Sequence, residues 1–147
     1  MKKEKPLWPV SLIACIALSS CTKSAEITVT TNVPIANGSL VESVGIETLG
    51  GILTPLLEKG CKLPCSVTQT FSTADDNQTQ IVVNTFQGNS SLVADAKHLG
   101  KFQVIGIRRA ARGEPKVAIS FIAETNRLVL QAHESGVENK LSWVRME

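Results

Sequence analysis

Few residues in this chain belong to the types that perform acid–base or nucleophilic chemistry, so their spacing can be read directly. The 147 residues include two histidines, His98 and His133. They fall in different elements, and neither has a neighbouring Asp or Ser in the arrangement that a nucleophilic triad requires. A surface or strand-edge position is expected for both. Asp75 and Asp76 stand together ahead of Asn77. A calcium loop needs more oxygen ligands at set spacing, and adjacency alone does not make a glycosidase acid pair. The pair is expected to form an acidic β-turn. No GxxxxGK[ST] or GxGxxG run is present to cradle phosphates. The residues therefore supply no positive case for an enzyme, and no cofactor is expected.

Cysteine is the remaining chemically active type, at positions 15, 21, 61 and 65. Cys15 is expected to lie in the core of an export signal and Cys21 directly after it. Residues 1–5 are basic through Lys2, Lys3 and Lys5, and residues 7–18 are mostly apolar, which is the layout of a secretory leader. The apolar run is too short to remain as a spanning helix, which takes about 20 residues. Leu18-Ser19-Ser20-Cys21 resembles the bacterial lipobox, which implies that Cys21 is lipidated and becomes the first residue. Residues 1–20 are thus expected to be a lipoprotein signal peptide. Thr22-Lys23 after the cysteine implies sorting onward, to an outer membrane facing periplasm or surface.

Cys61 and Cys65 would meet oxidising conditions in an exported protein, so a disulfide has to be considered. Four steps along an extended strand cover roughly 13 Å, whereas a disulfide needs Cα atoms about 4.4–6.8 Å apart. If the segment is a strand, the two cannot pair locally. They are expected to be ordinary small residues in a turn and a strand. No second CxxC or HxxxH completes a metal site, and no metal is expected.

Charge narrows the partners. The chain carries 15 basic and 13 acidic side chains, of which three lysines and one glutamate lie in residues 1–20; removing these leaves 12 of each. A neutral domain is poorly suited to tracking a phosphate backbone. Arg108, Arg109 and Arg112 form the only basic cluster, expected to be a solvated loop face, and nucleic acid is not an expected partner.

The elements that must position any site are strands. Residues 21–40, rich in Thr, Asn, Val and Ser, are expected to be a polar tether with a short strand over 26–31. From Val41 the pattern is β. Residues 67–73 alternate loosely, 80–86 put Ile81, Val83 and Thr85 on one face, and 116–122 put Val117, Ile119 and Phe121 on one face. Further strands are expected over 102–107, 127–132 and 141–144, with turns at 87–89 and 124–126 and a helical turn over 95–99. The turn spacing suits a sandwich or barrel, built by residues 41–147. Two stretches stand apart. Leu49 directly precedes Gly50-Gly51, which places an apolar side chain near a turn tip. Phe71 stands beside Ser72, Thr73 and Ala74, ahead of the acidic turn.

The run GIETLGGILTPLLEKG, then TFSTADDNQTQ, FQG, LGKF, GI, RG and P in order, resembles the substrate-binding β-domain of DnaK-type chaperones, the heat shock protein 70 family. The resemblance covers residues 43–144. It implies an all-β fold, a two-sheet antiparallel β-sandwich, that binds unfolded or extended hydrophobic polypeptides. It also implies a pocket for one hydrophobic side chain, lined by Ile46, Phe71, Ile81, Val83, Val117 and Ile119, and an arch over the peptide backbone made by Leu49 and Ala74. Full burial of one Leu or Ile side chain in such a pocket contributes about 1.5–3 kcal/mol, and backbone hydrogen bonds hold an extended peptide without reading its sequence.

The chain departs from the family pattern in several places. Nothing before Val41 could supply the family's ATPase domain, so ATP is not expected as a cofactor, and the chain stops at Glu147 where a helical lid would follow. Asp76 and Arg112 match the lid-latching positions, and 108–113 replaces a proline-rich loop. The turn glycine expected near Asn126-Arg127 is missing, which shortens that hairpin. The reading is a lipid-anchored, ATP-independent binder of extended hydrophobic peptides, a holdase. The alternative is a structural or host-interaction lipoprotein that keeps the sandwich without using the groove.

Overall fold

The structure is a computed structural model that describes residues 24–30, 33–138 and 140–147. The signal segment 1–20 and Cys21 lie outside the described residues. Eleven strands follow one another among the described residues: β1 (Ala25–Thr30), β2 (Ile35–Ala36), β3 (Ser39–Leu40), β4 (Ser43–Thr48), β5 (Ile52–Leu57), β6 (Cys65–Ser72), β7 (Gln80–Gly88), β8 (Lys97–Ile105), β9 (Lys116–Glu124), β10 (Arg127–Glu134) and β11 (Ser142–Met146). One sheet has the order β1-β10-β9-β6 and the other β11-β8-β7-β4-β5, while β2 and β3 form a small hairpin. All the strand pairs are antiparallel. The fold is the expected all-β sandwich.

Alternation explains the layering. In β9 the side chains of Val117, Ile119, Phe121 and Ala123 are sealed from solvent, and in β10 Leu128, Leu130 and Ala132 are as well. Val83, Phe102 and Val104 close the core from the opposite sheet. Each of the larger side chains contributes about 1.5–3 kcal/mol through burial. Thr85, buried in this layer, satisfies its hydroxyl by donating to the Gly100 carbonyl at 2.8 Å.

Several local expectations are corrected. Of the segment read as a polar tether over 21–40, residues 25–30 form a strand of the sandwich and residues 33–40 add Val33 and Leu40 to its core. The short strand expected at 26–31 is β1, and it pairs with β10 along its whole length, from Ala25 opposite Ala132 to Thr30 opposite Arg127. Val29, Val33 and Leu40 are buried, so the segment contributes to the core. The local sequence is polar because β1 is an edge strand with one face in water. Gln87 and Gly88, expected as a turn, continue β7, since Gln87 pairs with Lys97 on one side and Val44 on the other. The helical turn falls at Val93–Asp95 rather than over 95–99, and β8 begins at Lys97.

The cysteine expectation is also overturned. Cys61 and Cys65 form a disulfide with Cα atoms 6.2 Å apart. Strand β6 begins only at Cys65, so residues 61–64 are not extended and the strand spacing does not apply. The chain turns there against the β2–β3 hairpin. Leu40 donates its N–H to the Cys61 carbonyl at 3.0 Å, and Leu63 donates to the Gly38 carbonyl at 2.9 Å. The hairpin lacking its turn glycine closes over Thr125 and Asn126, with Glu124 opposite Arg127 in register. Their side chains are hydrogen-bonded, Arg127 Nε donating to the Glu124 carboxylate, and this partner raises the Arg127 pKa above its ordinary value.

Candidate functional site

Two loops flank the candidate site, and each has a local reason for its shape. The β4–β5 connection is Leu49-Gly50-Gly51, with Thr48 opposite Ile52. Both glycines have positive φ, 84° and 71°, which suits residues without a Cβ. Leu49 at the tip is 98% exposed. The turn is held on one side by residues 91–93, since Leu53 donates its N–H to the Ser91 carbonyl at 2.9 Å and Val93 donates to the Gly51 carbonyl at 3.0 Å. Thr48 and Thr54 link their hydroxyls across the two strands at 3.0 Å.

The second loop, 73–79, joins β6 to β7. Its acidic turn forms as expected. Gln78 accepts the N–H groups of Ala74 and Asp75 on its side-chain oxygen at 2.8 and 3.1 Å and donates its amide to the Gln80 carbonyl at 2.6 Å. Asn77 takes the left-handed conformation, φ 59°, which Asn tolerates better than most residues. Ala74 is exposed.

The 106–115 loop braces this second loop from outside. Gly113 donates its N–H to Thr73, at 3.0 Å to the carbonyl and 3.2 Å to the hydroxyl. Arg112 donates its backbone N–H to Asp76 Oδ1 at 2.9 Å. Asn77 donates to the Ala110 carbonyl at 2.8 Å, and Ser72 Oγ donates to the Pro115 carbonyl at 2.6 Å. Asp76 and Arg112, matched to latching positions by sequence, are therefore joined to each other through the backbone of Arg112. At the base of this loop, Arg108 donates its backbone N–H to Glu134 Oε2 at 3.2 Å, and its guanidinium lies 3.0 Å from Glu134 Oε1. The Glu134 side chain is completely buried, whereas Arg108 is 40% exposed.

The eight expected site residues separate by depth. Leu49 and Ala74 stand in solvent on the two loops. Phe71 is half-buried and lies directly opposite Val117 in the β6–β9 register. Ile46 and Ile81 are 8% and 7% exposed, at the margin of the core. Val83 is almost sealed, and Val117 and Ile119 are fully buried. Ile46, Ile81, Val83, Val117 and Ile119 belong to one apolar cluster, with Phe71 packed against it. Ile119 lies two residues deeper along β9 than Val117, opposite Gln69 and Ala132, and belongs to the body of the core.

Reading by sequence missed the bracing by Glu134, which sits 26 residues from Arg108. Its one local signal is a carboxylate in an inward-facing position of β10. His98 is exposed, with Nε2 2.6 Å from Asn84 Oδ1, and Asn84 donates to Glu47 at 2.6 Å. Its ring packs on Phe86, with centroids 4.9 Å apart. This is a surface polar chain on β4, β7 and β8.

The family model described as Hsp70 protein matches residues 20–146, a wider span than the motifs over 43–144. The curated "Chaperone protein DnaK" of Mycoplasma mobile is 38% identical over 105 residues, which is 71% of this chain and 18% of that protein. The protein of the same name from Mesomycoplasma hyopneumoniae is 46% identical over 84 residues, 57% of this chain and 14% of that protein. That of Carsonella ruddii is 41% identical over 102 residues, 67% of this chain and 17% of that protein. The chain spans less than a fifth of the length of these relatives.

Proposed function

Since this chain belongs to the Hsp70 family, we propose that it binds extended, hydrophobic segments of unfolded polypeptides between the 49–51 and 73–79 loops. Membership supports a chaperone-type role. The observation that carries the local reading is the apolar series from surface to core. Half-buried Phe71 packs against a cluster that holds Ile46 and Ile81 at the core margin and Val83 within it, and exposed Leu49 stands on the turn that follows the strand of Ile46. One apolar side chain entering there would displace water from this series, while the peptide backbone hydrogen-bonds to the loop backbones. Specificity would be loose, because shape and apolarity are read rather than sequence.

Binding is proposed to be independent of ATP, as a holdase. These 147 residues contain no glycine-rich phosphate motif, and a site without a nucleotide switch exchanges ligand passively. The protein is proposed to be held at the bacterial envelope by a lipid on Cys21, on the strength of the Leu18-Ser19-Ser20-Cys21 sequence.

The test is fluorescence anisotropy of a labelled, extended, Leu-centred peptide. Saturable binding is expected, and Val83→Phe, which fills the apolar series from below, should weaken it at least several-fold. An absence of binding, or a Val83→Phe variant that is folded and binds equally well, sinks the reading. Mass spectrometry of membrane-fraction protein tests the anchor separately, with diacylglycerol on Cys21 as the expected result.

A further inference from the structure

A sheet edge presents unpaired N–H and C=O groups, and a chain that is to stay apart from other strands covers, charges or breaks it. The sandwich has four edges, β1 and β6 in one sheet and β11 and β5 in the other. Three are protected. β5 has Pro55 in mid-strand, and its Leu53 N–H is taken by the Ser91 carbonyl at 2.9 Å. β11 is five residues long and carries Arg145. β1 carries Glu26, and the Trp143 indole donates to the Ala25 carbonyl at 3.1 Å. β6 has none of these devices. Its eight residues, Cys65–Ser72, include no charge and no proline. Among the described residues, their backbone hydrogen-bonds to β9 and to nothing else.

The side chains of β6 suit one occupant in particular. Val67, Gln69 and Phe71 lie opposite Phe121, Ile119 and Val117, so they share the inward face, and Ser66, Thr68, Thr70 and Ser72 share the other. The inward row is incompletely covered, with Val67 and Phe71 half-buried and Gln69 exposed. A two-fold axis that pairs β6 with its own copy sets one residue opposite itself and keeps like faces on the same side. With Gln69 on the axis, Thr68 stands opposite Thr70, Val67 opposite Phe71 and Ser66 opposite Ser72. An aromatic residue against a β-branched one, and Thr against Thr, are pairs that stabilise antiparallel strands, and no like charges meet. Moving the axis to Thr68 would set Phe71 against Cys65 and Val67 against Gln69, and both favourable pairs would be lost. Beyond the strand, Ser72 leads toward Asp75 and Asp76, while Lys59 and Lys62 precede Cys65. Antiparallel pairing therefore brings the acidic turn of one copy toward the basic approach of the other.

We propose that two copies of this chain associate edge to edge through β6, antiparallel with Gln69 on the two-fold axis, so that their four-stranded sheets become one sheet of eight strands. The partner strand satisfies the free backbone groups of residues 66–72 and covers the wet sides of Val67 and Phe71. Association does not depend on whether the groove binds peptide. Phe71 belongs to the candidate site, so the two sites of the dimer lie on either side of the axis.

The test uses the full chain in non-ionic detergent, with Cys15 and Cys21 replaced by serine and Cys61 and Cys65 kept oxidised. Sedimentation equilibrium is expected to show a mass that doubles as concentration rises. Gln69→Lys sets two ammonium groups against each other on the axis and should weaken the dimer at least several-fold. Cysteine cross-linking reads the register independently. Opposed residues in antiparallel strands have Cα atoms about 4.5–5.5 Å apart, within the reach of a disulfide at about 4.4–6.8 Å. Gln69→Cys should therefore cross-link to itself under mild oxidation, whereas Thr68→Cys and Thr70→Cys should cross-link mainly when mixed with each other. A chain that stays monomeric at every concentration, a Gln69→Lys variant that dimerises as tightly as the parent, or Thr68→Cys alone cross-linking as fast as Gln69→Cys would overturn the proposal.

Discussion

The Arg108 guanidinium lies 3.0 Å from the carboxylate of Glu134, and the Glu134 side chain has no solvent exposure. The same carboxylate accepts the Arg108 backbone N–H at 3.2 Å. A buried carboxylate thus fixes both ends of one residue and so sets where the 106–115 loop departs from β8. A hydrogen bond to a charged group contributes about 1.5–3 kcal/mol, and the partial exposure of Arg108 places this pair near the lower bound. Arg108→Ala is expected to lower unfolding stability by about 1.5 kcal/mol. Arg108→Lys should recover only part of it, because an ammonium lacks the planar fork. Urea denaturation of the two variants measures this, and equal stability of Arg108→Ala and the parent protein would contradict it.

Asp76 holds the 73–79 loop to the 106–115 loop through one acceptor, its Oδ1 2.9 Å from the Arg112 nitrogen. Both residues are exposed, so global stability should change little. The expected effect is local. In Asp76→Ala the Arg112 amide loses its acceptor and should exchange hydrogen several-fold faster, while amides in the centre of β9 keep their protection. Hydrogen exchange by mass spectrometry separates the two. Unchanged exchange at Arg112 would show that the remaining bonds, from Gly113 to Thr73 and from Asn77 to Ala110, suffice.

Gly45 allows β4 to lie directly against β5. A Cβ at this position would stand 2.2 Å from the Thr54 carbonyl oxygen and 2.9 Å from Pro55 Cα. These are backbone atoms of the neighbouring strand, next to the register shift between Val44 and Gly45, and they cannot swing aside. Gly45→Ala is expected to cost roughly 1–3 kcal/mol as overpacking. It should also weaken the proposed peptide binding, because β4 carries Ile46 and leads directly into Leu49. A variant as stable as the parent in guanidinium chloride would refute the close approach.

The Cys61–Cys65 disulfide closes a short loop. In the chain-entropy model a loop this small contributes about 2 kcal/mol. Reduction, or Cys65→Ser, should therefore lower Tm by several degrees without abolishing the fold, since the strands carry most of the core. Calorimetry with and without reductant measures this. Two thiols that react with alkylating agent in the untreated protein, purified without reductant, would contradict the bond.

Much of the architecture was legible along the chain. Strict alternation in 116–122 placed Val117, Ile119 and Phe121 inward, and those three side chains are sealed. The glycine pair after Leu49 predicted a turn with an apolar side chain near its tip, and the structure has that turn. These features were readable because period-two burial and positive φ are properties of single residues and their nearest neighbours.

Other features came only with the tertiary structure. Polar residues 25–30 look like a tether until β10 is seen to pair with them along their length. Cys61 and Cys65 look too far apart until residues 61–64 turn against the β2–β3 hairpin. Glu134 looks like one more charged residue until the register of β10 puts it inside, against Arg108. The sequence by itself determined the family, the inward faces and the glycine-dependent turn. Tertiary structure decided which edge β1 covers, which cysteines meet and which carboxylate braces the site loop. Each of those depends on strand register between segments distant in sequence, and register is set by the summed packing of the whole core rather than by any local pattern.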